Sequence, residues 1–252
     1  MDGPTIVAVD WSGATDMRAQ RRHIWAATVR AGGEMKLTSG MSRDEIIDVV
    51  VALEPPVVVG FDFSFGVPAW FARDLGCRTI DDVWAAAAAN AGTWLHAIAA
   101  PFWGRGARLH CDIGAAQQFR ACEQRLRDDR LPAKSVFQLV GNGQVGAGSV
   151  RGMALLPRLR AAGFAIWPFD DAGTRTVVEI YPRAFRAMAA GARLPAETTT
   201  SRDAYDAAIS ALGMHDQRAH FASLRAAKDA VTRIEGDVWL PATEHHDGGG
   251  TR

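Results

Sequence analysis

The sequence predicts an α/β fold built on a mixed sheet, and three features of the chain carry that expectation. Thr5–Val9 and Pro56–Phe61 are almost wholly apolar and rich in β-branched residues, the signature of strands buried on both faces. Between them, Arg43–Leu53 sets Ile46, Ile47, Val50 and Leu53 at helical spacing behind the capping-box residues Ser42 and Glu45. A helix between two strands implies a crossover, so the strands should run parallel. Each strand runs into an aspartate, Asp10 and Asp62. Parallel pairing would set both on one sheet edge, the edge where open α/β sheets bind ligands.

The remaining elements follow in order. Ala14–Arg21 reads as a turn, then Arg22–Arg30 and Met35–Thr38 as strands around the Gly32-Gly33 turn. Short links favour antiparallel neighbours, so the first three strands form a meander. Residues 68–135 form an insertion. In it Thr79–Asn90 is helical, with Asp81 and Asp82 in the first turn favouring the helix dipole. Trp84, Trp94, Phe102 and Trp103 read as the patch by which the insertion packs on the sheet; a lid stacking on bases or a sugar is the sharper alternative. Phe119–Arg130 reads as a charged helix with a solvated face. Phe164–Phe169 and Thr176–Tyr181 are further strands, and Ser201 can cap a helix over Arg202–Leu212. His220–Arg233 has amphipathic helical spacing, and Glu235–Pro241 is a short extended closing segment. One domain over residues 1–242 results, followed by a polar, Gly-rich and therefore disordered tail at 243–252.

Composition narrows the function. Among 252 residues, 28 Lys and Arg balance 28 Asp and Glu, giving formal net charge zero. That argues against a protein held to long nucleic acid by a broad basic surface, and leaves a short nucleic acid or a nucleotide open as substrate. Cys77, Cys111 and Cys122 are too few and too scattered for a disulfide framework or a zinc site, which suits a cytoplasmic setting. No run of about 18 apolar residues occurs, so no membrane partner is expected.

Acidic residues are the candidate chemistry. Asp10, at the end of a buried strand, has lost water and needs either a cation or a local backbone N–H as partner; the residue alone leaves both open. Glu179 falls inside the last strand, where a carboxylate is costly unless paired, bound to metal or turned to water at an edge. Asp203 lies in the first turn of its helix, where an acid favours the dipole, whereas Asp206 is beyond that turn. The run Gly141-Asn142-Gly143-Gln144-Val145-Gly146 spells a dinucleotide-binding fingerprint after a strand-like stretch. Gly152 and Pro157 interrupt the helix after it, and a mobile glycine loop is favoured over nicotinamide or flavin binding.

Meander, helix, strand, insertion, strand and helix, with acids at the first strand's end, the fourth strand's end, the last strand and the following helix, is the order of the ribonuclease H-like fold. The chain also resembles the domain of unknown function 429 family, regarded as predicted nucleases of that fold. The resemblance rests on VAVDWSGA (7–14), VVGFDFSFGVP (58–68), PFWGR (101–105), KSVFQLVGNGQVGAGSVRGM (134–153), WPFD (167–170), VVEIYPRAF (177–185), SRDAYDAAISAL (201–212) and IEGDVWLP (234–241). It implies a metal-dependent nuclease or phosphohydrolase with Asp10, Asp62, Glu179 and Asp206 as catalytic acids. Asp10, Asp62, Asp203 and Asp206 would hold Mg²⁺ or Mn²⁺. Lys134 and Gln138, with Ser12, Gly141 and Gly143, would contact the substrate. No histidine adjoins Asp203 or Asp206 in sequence to position a water. An ATP-dependent phosphotransferase of the sugar kinase and actin-like class, whose first strand also ends in Asp before small residues, is the competing enzyme. A non-catalytic nucleic-acid-binding module is the third expectation.

Overall fold

The computed structural model describes residues 3–104, 109–140 and 145–242. Its elements are β1 (Thr5–Asp10), α1 (Met17–His23), β2 (Trp25–Val29), β3 (Met35–Thr38), α2 (Arg43–Val51) and β4 (Val57–Phe61). The insertion carries α3 (Ala69–Asp74), α4 (Ile80–Gly92) and α5 (Ala121–Asp128). After it come α6 (Gly146–Met153), α7 (Leu156–Ala161), β5 (Ala165–Ile166), β6 (Arg175–Glu179), α8 (Arg202–Asp216) and α9 (Thr232–Glu235). The six strands form one sheet in the order β3-β2-β1-β4-β6-β5. β1, β2 and β3 make the expected antiparallel meander, while β4 joins β1 in parallel and β6 joins β4 in parallel. The apolar runs of β1 and β4 are thus interior strands, as their sequence requires.

Helices cover both faces. One face of the sheet, with Val7, Val9, Val59, Phe61 and Val177, packs against α2, α4 and α6 through side chains such as Ile47, Trp84 and Val150. The opposite face, with Ile6, Ala8, Val58 and Val178, receives Ala207, Ala211 and Met214 of α8. Gly60 of β4 lies on this second face. A Cβ there would sit 2.7 Å from Met214 Sδ and 2.8 Å from Ile180 Cγ2, so the missing side chain lets α8 close onto the sheet.

Several boundaries differ from the sequence reading, each for a local reason. The stretch read as a turn at 14–21 contains α1, started by Asp16, whose carboxylate accepts from Ala19 N at 2.8 Å. Gln20 is its only buried residue, so no apolar stripe announces it. The strand at 164–169 shrinks to Ala165–Ile166, because the chain turns back there: Phe169 N donates to Ile166 O, and Asp170 Oδ2 accepts from Ile166 N. The helix read over 220–233 is replaced by a 3₁₀ turn at Arg218–Ser223 and by α9. Between them, Ala226 N donates to Asp171 and Ala227 N to Pro168 O, so tertiary partners take backbone groups that a helix would have used. The closing segment does lie extended beside β6, with Trp239 N donating to Glu179 O at 2.8 Å. The tail at 243–252 lies outside the described residues.

The insertion's aromatics pack as the first reading held. Trp84 and Trp94 are buried, and Trp103 is half-buried. Phe71, Trp94, Phe102 and Phe137 meet one another with ring centroids 5.2–5.9 Å apart. Trp84 also donates its indole N–H to Phe65 O at 2.7 Å. Trp84→Ala is therefore expected to cost about 3–5 kcal/mol of stability, measured as a lower midpoint in urea with an unchanged slope.

Candidate active site at the carboxyl edge of the sheet

The pleat of three parallel strands decides where the acids go. Val9 pairs with Phe61, and Phe61 pairs with Glu179. Asp10 and Asp62 follow Val9 and Phe61, so both belong to the alternate set of side chains, on the face that α8 covers. Glu179 shares the register of Phe61 and turns to the opposite face. Helix α8 starts at the N-cap Ser201, whose hydroxyl accepts from Ala204 N at 3.1 Å, and it runs across β1 and β2. Asp203 and Asp206 on its first two turns thereby approach Asp10 from the same side.

The result is a cluster of mutually repelling carboxylates. Asp10 and Asp62 are half-buried at the ends of their strands. The Asp10 pKa is pushed well above the usual carboxylate range, first by burial and then by the charges of Asp62, Asp203 and Asp206. The Asp62 pKa rises to about 8, again through burial, then through Asp206 and Glu179. Burial raises Asp206 too, while Arg202 and Arg186 pull it back. Arg202 Nε lies 3.5 Å from Asp206 Oδ2, and the nearest Arg186 nitrogen 4.0 Å from Oδ1. Asp206 Oδ1 is buried without a hydrogen-bond partner among the described residues, as is Arg186 Nε. His23, 180 positions away in sequence, places Nδ1 2.8 Å from Asp203 Oδ2. A histidine therefore does adjoin the cluster, supplied by the last residue of α1, a position that the sequence assigns to the strand at 22–30.

Glu179 belongs to a second group, in which it is ion-paired with Arg120. Arg120, only 1% exposed, makes a bidentate pair with it, through Nη2 to Oε1 and through Nη1 to Oε2 at 2.9 Å. Phe65 N donates to Oε2 at 2.8 Å. Arg120 also binds Glu123 Oε1 at 2.8 Å and Glu235 O at 2.8 Å, and Ser64 Oγ donates to Glu123 at 3.2 Å. Glu235 in turn accepts from Ala69 N at 2.7 Å. Arg120 and Glu123, which begin the helix read as solvated, are thus among the most buried charges in the chain. The sequence signal for them was slight: Glu123 falls three residues after Arg120, and its carboxylate accepts from Arg120 N at 3.0 Å at the start of α5.

A cavity of about 670 Å³ opens at this edge. Asp62, Asp206, Glu179, Arg120 and Lys134 contribute to its lining; Asp10 and Asp203 stand beside it. Of the residues expected to contact substrate, Lys134 is exposed and lines the cavity. Gln138 does not line it; its side chain donates to Val140 O at 2.9 Å and steadies its own loop. Ser12 is buried, its hydroxyl accepting from Ala14 N at 3.2 Å. Gly141 and Gly143 lie outside the described residues. Gly146 and Gly148 are buried in the first turn of α6, where a Cβ on Gly13 would lie 2.6 Å from Gly148 N. A Cβ on Gly146 would lie 2.4 Å from Val136 O and 2.6 Å from Gln138 O, so close backbone contact within its own loop accounts for the glycine at that end of the fingerprint.

Two outcomes follow. Asp62 holds a proton up to about pH 8 in the folded state, whereas the unfolded chain releases it near pH 4. Its contribution to stability is complete below the unfolded pKa and is lost as pH rises through 8. In EDTA, wild-type melting temperature should fall across that window, and Asp62→Asn should flatten the fall. Arg120→Met strands Glu179 and Glu123 in the interior and should cost about 3–5 kcal/mol in denaturant titration. Adding Glu179→Gln to that variant should recover part of the loss.

The family model described as "Protein of unknown function (DUF429)" matches residues 4–237. No curated protein and no solved structure matches the chain. The match spans nearly the whole chain, from the start of β1 past α9, and takes in Asp10, Asp62, Asp203, Asp206 and the Arg120–Glu179 pair; the chain belongs to the DUF429 family.

Proposed function

We propose that this protein is a divalent-metal-dependent hydrolase of phosphate esters, a nuclease or phosphohydrolase acting on a nucleic acid or nucleotide. One observation carries the reading: Asp10, Asp62 and Asp206 converge at the carboxyl edge of the mixed sheet, and the carboxyl groups of the first two have no hydrogen bond or ion pair among the described residues. Repelling carboxylates gathered at one sheet edge favour a bound cation. No three His, Cys, Asp or Glu side chains among the described residues form a ready cage for a metal ion. Mg²⁺ suits such a site, because it is held by one or two carboxylates plus waters and substrate phosphates. Asp10 and Asp62 would hold the ion, with Asp206 nearby. Once bound, such an ion activates a water and stabilises the leaving oxygen.

The protein's own groups do the rest. Lys134 offers an exposed ammonium to a phosphate oxygen. Asp206 Oδ1, whose pKa is raised, takes up the proton released by the attacking water. His23 holds Asp203 in place. Trp11 and Phe63, on the cavity wall, exclude bulk water. A phosphotransferase reading is less well supported. Its phosphate-holding turn would be Ser12–Gly13, yet Ser12 is buried and its hydroxyl already accepts from Ala14 N at 3.2 Å.

Thermal melts in EDTA, Mg²⁺ and Mn²⁺, with hydrolysis of a small phosphodiester measured alongside, test the proposal. At a hundredfold excess over its dissociation constant, the metal should stabilise wild type by roughly 2.7 kcal/mol. Asp10→Asn should melt no lower than wild type in EDTA, lose the metal-dependent rise and lose hydrolysis. A wild type that neither metal shifts, with Asp10→Asn less stable, would end the reading and leave Asp10 as a turn residue.

A further inference from the structure

The cavity is polarised. Its deepest lining groups are acidic or paired: Glu179 and Glu123 are each 3% exposed, and Asp62 is half-buried. Its exposed lining groups are cationic: Lys134, Arg183 and Arg202. Arg202 is committed to Asp206, but the side chains of Lys134 and Arg183 make no hydrogen bond or ion pair among the described residues. Two unpaired cations at the mouth of a cavity whose floor repels anions define one place for a negative group. The wall beside Arg183 is Tyr181, a half-buried ring, and Leu126 and Val238 add apolar surface.

Size and charge then limit the ligand. A cavity of about 670 Å³ falls within the ordinary range for small-molecule sites. A polymer would bring one phosphate per nucleotide, and holding several requires a track of cations. Among the described residues the mouth provides two free ones, and the net charge of the chain is zero. Past the mouth, the carboxylates call for hydrogen-bond donors such as ribose hydroxyls or an exocyclic amine.

We propose that Lys134 and Arg183 form an anion subsite for the phosphate of a single nucleotide, with the base against Tyr181 and the hydroxyls toward the carboxylate floor. This deepens the hydrolase reading by naming its substrate class, and assigns to Arg183 a binding role in that site. A mononucleotide-sized phosphate ester is the ligand, and a long strand is excluded.

Calorimetric titration of the full-length chain in EDTA separates this from catalysis. The probes are inorganic phosphate, the four nucleoside 5′-monophosphates, the matching nucleosides and a ten-nucleotide single strand. At least one monophosphate should bind, with its nucleoside weaker by about tenfold or more, as expected for loss of a charge-assisted contact. Lys134→Ala with Arg183→Ala, two exposed positions, should weaken that monophosphate by a similar factor at an unchanged melting temperature. Four results would overturn the proposal: no monophosphate binds, nucleosides bind as well, the double variant binds like wild type, or the oligonucleotide binds more tightly with a steep salt dependence. Inorganic phosphate binding as tightly as the monophosphates would overturn the nucleotide assignment and leave a phosphate subsite. Hydrolysis with Mg²⁺ or Mn²⁺ is scored separately. Binding without turnover sinks the hydrolase reading alone, and turnover without monophosphate binding sinks the subsite alone.

Discussion

Side chains of a strand alternate between two faces, and in this sheet that alternation sorts four acids into two chemistries. Asp10 and Asp62 fall on the parity that meets α8, where Asp203 and Asp206 add charge of the same sign. Glu179 falls on the other parity, where the insertion brings Arg120. A shift of one residue in the β4–β6 register would exchange these roles, because Glu179 would join the repelling cluster and Arg120 would lose its partner. The register is held by the apolar residues of both faces, so the same burial that stabilises the sheet also sets the electrostatics at its edge.

The Arg120 group has a mechanical role as well. It joins α5, the turn after β4, the end of β6 and α9 through charge-assisted hydrogen bonds. These pieces are distant in sequence, and each contributes to the cavity or stands behind its wall. In a buried setting such bonds are strong individually, and removing one member leaves charges with nowhere to go. The insertion is therefore a wall of the site, fastened from inside, and its aromatic cluster packs the side facing away from the cavity floor.

Much of this was legible in the sequence. The buried strands announced themselves by composition, the meander by short links, and α2 by its capping box, which forms as written. Asp10 and Asp62 were legible as a pair because parallel strands end together. What stayed hidden depended on tertiary partners. Arg120 looks like any other arginine in a charged run; only the sheet edge brought against it makes it a core residue. His23 stands 180 residues from Asp203, and nothing local links them. The missing helix over 220–233 has the right spacing, yet the loop at Pro168–Asp171 offers its backbone better bonds. Glu179 showed only that it needed a partner, and the sequence does not say whether a metal or an arginine provides it.

Gly60 acts on the site through spacing. The absence of one methyl group in the middle of β4 sets how near α8 may lie to the sheet. Asp206 rides on that helix, two turns before Met214, the residue that occupies the vacated space. The separation between the helix-borne acid and the strand-borne acids is thus gauged at a point well removed from either, inside the apolar layer. An alanine at this position would act as a shim, lifting the helix and widening the gap at the edge while leaving every charged group chemically intact.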